Sequence, residues 1–191
     1  GRFGLEQLLQ VMDQYDCQTL LGLGDLFNVK SQRSDALQLM RRMTEECRRR
    51  NYDFYYVQGQ HEISEPTLVS TVGGDESCHM HNKTVTIDGI RFHGLDYLNP
   101  TQIEEGLRNL PPAEVLCTHQ VWCDFMGEDR GHAKMEWVPD CYSMVLTGDF
   151  HETKVLDYNH HRRLVSPGSL NIQKINETAA KYVYLLNEDG Q

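Results

Sequence analysis

The chain has 191 residues, with 18 Lys and Arg against 28 Asp and Glu, a net charge of −10 and 39% hydrophobic residues. This composition suits a folded globular protein rather than a disordered or fibrous one. No apolar run reaches the ~20 residues of a membrane span, and the start GRFGLEQLL lacks a signal-peptide layout, so a cytoplasmic location is expected. The acidic balance excludes binding through a broad basic surface, and any nucleic-acid contact must rest on a local patch or on metal ions.

In chain order, Leu5, Leu8, Leu9 and Met12 recur at helical spacing, and a short apolar strand, Thr19 to Leu23, follows. Leu37, Leu39, Met40 and Met43 mark a second helix from Ser34 to Arg49, followed by a strand from Phe54 to Val57. Two helix-then-strand units predict parallel pairing. Thr84 to Ile87, the turn signal Asp88-Gly89 and Ile90 to His93 predict a hairpin. Thr101 to Leu110 reads as a helix stopped by Pro111-Pro112, and Glu114 to Cys117 and Tyr142 to Leu146 read as strands. A second hairpin joins Lys154 to Tyr158 with Arg163 to Ser166 around Asn159-His160, and Lys181 to Leu186 reads as a final strand. Without a linker or repeat, residues 1–191 read as a single α/β domain.

The six cysteines, at 17, 47, 78, 117, 123 and 141, form no CxxC pair and read as reduced, mostly buried thiols. Cys78-His79-Met80-His81 holds three zinc-type ligands but lacks the spacing of a structural site, and a polar surface turn before the hairpin is the favoured reading.

Four strands end alike, in an apolar run, a small residue and then a residue able to bind metal. They are TLLGLG before Asp25, FYYVQG before Gln60 and His61, EVLCT before His119, and YSMVLTG before Asp149 and His151. In α/β sheets, ligands sit beyond the carboxyl ends of strands, so these side chains are expected to converge at one edge. Such a cluster suits metal-assisted hydrolysis, in which two cations about 4 Å apart generate a nucleophile and clamp a phosphoryl oxygen. Asp25 suits a bridging carboxylate, while His119, His151, Gln60 and Asp149 fill out the ligand set. Oxygen and nitrogen donors without thiolate favour Mn²⁺, with Mg²⁺ as the alternative. His61 is then free to donate a proton to the leaving oxygen.

At these residues the sequence resembles the calcineurin-like metallophosphoesterase superfamily, whose blocks run DxH, GDxxD/N, GNHE/D, H and GHxH. The matching residues are Gly24-Asp25-Leu26-Phe27-Asn28, Gly59-Gln60-His61-Glu62, His119, and Gly148-Asp149-Phe150-His151. Ser166-Pro167-Gly168-Ser169-Leu170 is similar to the PGS element of the nuclease branch, as in SbcD-type and phage-type members. The resemblance implies an α/β sandwich of two mixed β-sheets flanked by helices, two divalent metal ions, and a nuclease acting on DNA. It also implies an SMC-like ATPase subunit as partner. One metal would be held by Asp25, Gln60, His119 and Asp149, the other by Asp25, His151 and the residues of a DxH block. Gln60 replaces the usual Asn and Asp149 the usual first His, and both swaps keep ligand character. No DxH precedes Asp25, so the expectation is an N-terminally truncated form lacking its first strand and a capping domain, with an exposed sheet edge that favours a homodimer.

The alternatives are weaker. Gly22-Leu23-Gly24 is no dinucleotide fingerprint, because Phe27 holds the third glycine position. Cys117 with His119 makes a poor thiol hydrolase, since the Cys faces the core. The arginines 41, 42, 48, 49 and 50 read as a solvated helix face rather than a phosphate contact, and His160-His161 and Arg162-Arg163 as a charged turn. A phosphatase or small-nucleotide phosphodiesterase competes within the enzyme class. A non-catalytic scaffold of the same fold, binding a protein partner, competes outside it.

Overall fold

A computed structural model describes residues 2–26, 33–62, 78–170 and 183–186. Helix α1 (Arg2–Gln14) leads into β1 (Thr19–Leu23), and helix α2 (Arg33–Arg50) into β2 (Asp53–Val57). The two strands pair in parallel, Thr19 opposite Asp53 through Leu23 opposite Val57. The helices are amphipathic at the spacing seen in the sequence. Leu5, Leu9 and Met12 of α1 and Met40, Met43 and Cys47 of α2 pack with Phe54 and Tyr56 on one face of this small sheet.

The larger sheet is mixed. It contains β3 (Thr84–Ile87), β4 (Ile90–Leu95), β5 (Val115–His119), β6 (Met144–Gly148), β7 (Lys154–Tyr158) and β8 (Arg162–Ser166), in the order β3-β4-β5-β6-β8-β7. The outer pairs β3/β4 and β7/β8 are antiparallel hairpins, and the inner pairs are parallel. Alternation gives this sheet two buried faces. Val115, Cys117, Met144, Leu146 and Val165 face the small sheet and pack with Val57, while Leu116, Val145 and Leu164 face an outer layer containing α3 (Ile103–Arg108) and Trp122. The result is a two-sheet α/β sandwich, as expected.

Three local expectations are corrected. The strand predicted at Lys181–Leu186 is not present over 183–186, where no ladder forms and only Leu186 packs on the inter-sheet core, while residues 181 and 182 lie outside the described residues. Cys78-His79-Met80-His81 is no surface turn. His79 bridges to Tyr56 of β2 and His81 to Gly94 of β4, Met80 is buried, and His79 Nε2 lies 2.8 Å from Asp96 Oδ2, so the segment knits the two sheets together. Arg162 is buried rather than solvated, because its guanidinium donates to the carbonyls of Tyr142 and Val138. The other arginine reading holds. Arg41, Arg42, Arg49 and Arg50 pair with Glu45, Glu6, Glu46 and Asp13, which leaves α2 an ion-paired face. No described helix is long and apolar enough to cross a membrane.

Candidate metal centre

The carboxyl ends of β1, β2, β5 and β6 meet at one edge of the sandwich. Asp25 follows β1 and Asp149 follows β6, both in the left-handed region, at φ 46° and 74°. Asp tolerates that region better than most residues, yet it is a sparsely populated conformation that surrounding contacts must enforce. The contacts are visible at Asp25. Its N–H donates to Glu62 Oε2 at 2.8 Å, and its Oδ1 accepts from the His61 N–H at 3.0 Å. The buried Glu62 carboxylate also accepts from Gly59 N–H at 2.7 Å, so the loops after β1 and β2 are tied to each other. A Cβ on Gly59 would sit 2.1 Å from Asp25 Oδ1, so this approach needs glycine.

His119 ends β5 directly opposite Gly148 of β6. A Cβ on Gly148 would lie 2.4 Å from the His119 ring and 2.0 Å from the Leu23 carbonyl, and its absence lets the imidazole lie between the sheets. The ring Nδ1 is 2.6 Å from the Leu23 carbonyl oxygen. That oxygen can only accept, so Nδ1 carries the hydrogen and Nε2 turns toward two carboxylates. Nε2 lies 3.4 Å from Asp25 Oδ2 and 3.6 Å from Asp149 Oδ1, is buried, and makes no hydrogen bond among the described residues.

A lone pair facing two ionised carboxylates is tenable only with a cation between them, a proton or a metal. Burial opposes charge on the ring, but the pull of Asp149 and Asp25 outweighs it and pushes the His119 pKa up to about 10. Burial likewise works against ionised Asp149, yet His119, the Gln60 amide and His151 hold its carboxyl below the usual range. The ligand atoms of Asp25, His119 and Asp149 all lie within 4.8 Å of one another. Two carboxylates and an imidazole with an unsatisfied buried nitrogen fit a hard divalent cation.

The remaining expected residues surround this trio. Gln60 Nε2 donates to Asp149 Oδ1 at 2.8 Å, which leaves Oε1 as its ligand atom. His61 Nε2 stands 3.6 Å from Asp25 Oδ2 on a half-exposed side chain. His151 is half-buried and outside the trio. Phe27 and Asn28 lie outside the described residues. The segment Ser166–Leu170 folds back on the loop bearing Asp149: Ser169 N–H donates to His151 O at 3.1 Å and Ser166 Oγ to Phe150 O at 3.1 Å. The Cys117 thiol is buried and pushed up to about 12 by desolvation, so it is no nucleophile. Glu62 falls within a sequence block that assigns it no role. Its work of holding two loops together shows only once β1 and β2 are adjacent.

Over 87% of its length the chain superposes on TT1561 of Thermus thermophilus, covering 84% of that chain with a TM-score of 0.57 at 12% identity. The likeness is one of fold, a two-sheet α/β sandwich shared over most of both chains. Other similar structures are an archaeal phosphodiesterase (TM-score 0.45, 10% identity, 86% of this chain and 75% of that one) and Thermotoga maritima protein TM1076 (0.34, 14%, 84% and 71%). No family profile matches the sequence, and no curated protein matches it.

Proposed function

We propose that the protein is a metal-dependent phosphodiesterase acting on DNA. The observation that carries this reading is the buried His119 Nε2 between Asp25 and Asp149 at the carboxyl edge of the sandwich, where the sequence blocks resemble those of metallophosphoesterases. Asp25, His119 and Asp149 would hold the cation, with Gln60 Oε1 completing its shell and His151 beside it. Bound divalent cations supply Lewis-acid polarisation of a phosphoryl oxygen and a nucleophile at neutral pH. The donor set favours Mn²⁺ or Mg²⁺, and two ions are proposed on the family resemblance. An SMC-like ATPase partner and self-pairing belong to the same reading.

The chain's own groups do the rest. Leu23 O fixes the His119 tautomer, and Glu62 holds Asp25 in its left-handed conformation. His61, half-exposed beside Asp25, would give a proton to the departing oxygen. Because His119 must shed its proton to bind metal, metal uptake releases protons and weakens as pH falls.

Mn²⁺-dependent hydrolysis of bis(p-nitrophenyl) phosphate and of single-stranded DNA tests the reading. Asp25→Asn is expected to abolish turnover with its circular dichroism spectrum retained. His61→Ala is expected to keep metal binding while kcat falls by roughly two to four orders of magnitude. Full activity in Asp25→Asn would overturn the mechanism. Activity on bis(p-nitrophenyl) phosphate but not on DNA would move the substrate to a small nucleotide. A folded, inactive parent would favour a non-catalytic scaffold.

A further inference from the structure

Two half-buried rings are carried by the loops that follow β4 and β5, close in sequence or hydrogen bonding to the neighbours of Gln60 and His119, and take no part in the metal centre. Tyr97 lies just beyond β4, and its N–H donates to Gln58 O at 2.9 Å, two residues before Gln60. His132 is tied to the loop after His119, its N–H donating to Val121 O at 2.9 Å. The two rings meet edge to face, with centroids 5.9 Å apart and planes at 84°.

The orientation of the His132 ring is set from below. Gln120, 1% exposed, donates its amide N–H to Asp96 O at 3.1 Å, so its Oε1 faces His132 Nε2 at 3.3 Å. An amide oxygen only accepts, hence Nε2 carries the ring hydrogen and Nδ1 presents a lone pair that has no partner among the described residues. Burial lowers the pKa of this ring, against an opposing influence of Asp149.

An aromatic face and a fixed acceptor beside a phosphate-handling site are the parts needed to receive a nucleoside. The base stacks on Tyr97, and a sugar hydroxyl or exocyclic amine donates to His132 Nδ1. The charge balance points the same way. With a net charge of −10 and four of the arginines of α2 ion-paired, backbone attraction is weak, whereas stacking works without charge. We infer that Tyr97 and His132 form a nucleoside subsite beside the metal centre, holding the residue that flanks the scissile phosphate. This inference rests on the phosphodiesterase reading and names the substrate class of that same site.

The test compares hydrolysis of thymidine 5′-(p-nitrophenyl phosphate) with that of methyl p-nitrophenyl phosphate, in Mn²⁺. Tyr97→Leu and His132→Ala are expected to lower the ratio of kcat/KM for the nucleoside ester over the methyl ester by about tenfold, while Tyr97→Phe keeps it. A merely structural role lowers both esters alike and leaves the ratio unchanged, and that result overturns the subsite. Calorimetric binding of thymidine 5′-monophosphate gives a readout independent of turnover. If the parent hydrolyses neither ester, the phosphodiesterase reading fails. Nucleotide binding that weakens about tenfold in Tyr97→Leu then still upholds the subsite, and no binding to the parent overturns it.

Discussion

Gly148 shows how little room the centre leaves. Its missing side chain is what allows His119 to lie against the Leu23 carbonyl, and any Cβ there meets backbone as well as the ring. Gly148→Ala is therefore expected to cost about 1–3 kcal/mol, the usual range for overpacking, and to weaken Mn²⁺ binding by displacing the imidazole. Thermal melting and metal titration check both, and a variant with unchanged metal affinity would show that the ring can move without consequence. The left-handed Asp25 and Asp149 make the same point, since each carboxylate is aimed by a backbone conformation its neighbours impose.

At the scale of elements, the sheet is clamped at the end opposite the centre. Glu114, just before β5, accepts from the Arg91 N–H and guanidinium at the start of β4, while its own carbonyl accepts from Ser143 and Met144 before and at the start of β6. Those hydrogen bonds from Arg91 hold the Glu114 carboxyl down to about 2 from 4.5. A depressed carboxylate pKa stabilises the fold above the unfolded value, and this contribution is lost as pH falls through the folded one. The melting temperature should therefore decline from about pH 4.5 toward pH 2, and Glu114→Gln should flatten part of that decline. An identical slope in the variant would remove Glu114 from the account.

These elements are legible in the sequence to very different degrees. Thr19–Leu23 and Thr84–Ile87 have the bounds their patterns predict, because an apolar or alternating run closes at a turn residue. The apolar pattern ends β5 and β6 at Cys117 and Leu146, but the strands run on to His119 and Gly148. Thr118, His119, Thr147 and Gly148 break the apolar pattern while their backbones stay paired in parallel ladders. The candidate metal ligands announce themselves through repeated strand-end placement, which is local information. Glu62, Gln120 and His132 do not, since each acts on a residue distant in sequence or on a side chain whose direction only packing sets. The segment 78–81 is misread for that reason too, as its bridges go to residues on two different strands.

At the scale of the molecule, the centre straddles the seam between the sheets. Asp25 belongs to the small sheet's edge, and His119 and Asp149 to the large one's. A cation bound there joins both, so Mn²⁺ at a hundredfold excess over its Kd should stabilise the fold by about 2.7 kcal/mol. The corresponding rise in melting temperature should vanish in Asp25→Asn. A rise of equal size in that variant would place the stabilising ion elsewhere.

The seam also divides the sequence in two. Asp25, Gln60 and His61 come from one stretch of chain, and His119, Asp149 and His151 from a later one, and neither stretch alone brings together a carboxylate on each side of the imidazole. The centre is thus a meeting rather than a motif, kept by the packing of Val57 against neighbours such as Cys117 and Leu146. A lesion that spares each of these side chains but lets those two layers slip would scatter the centre as thoroughly as the loss of Asp25 itself.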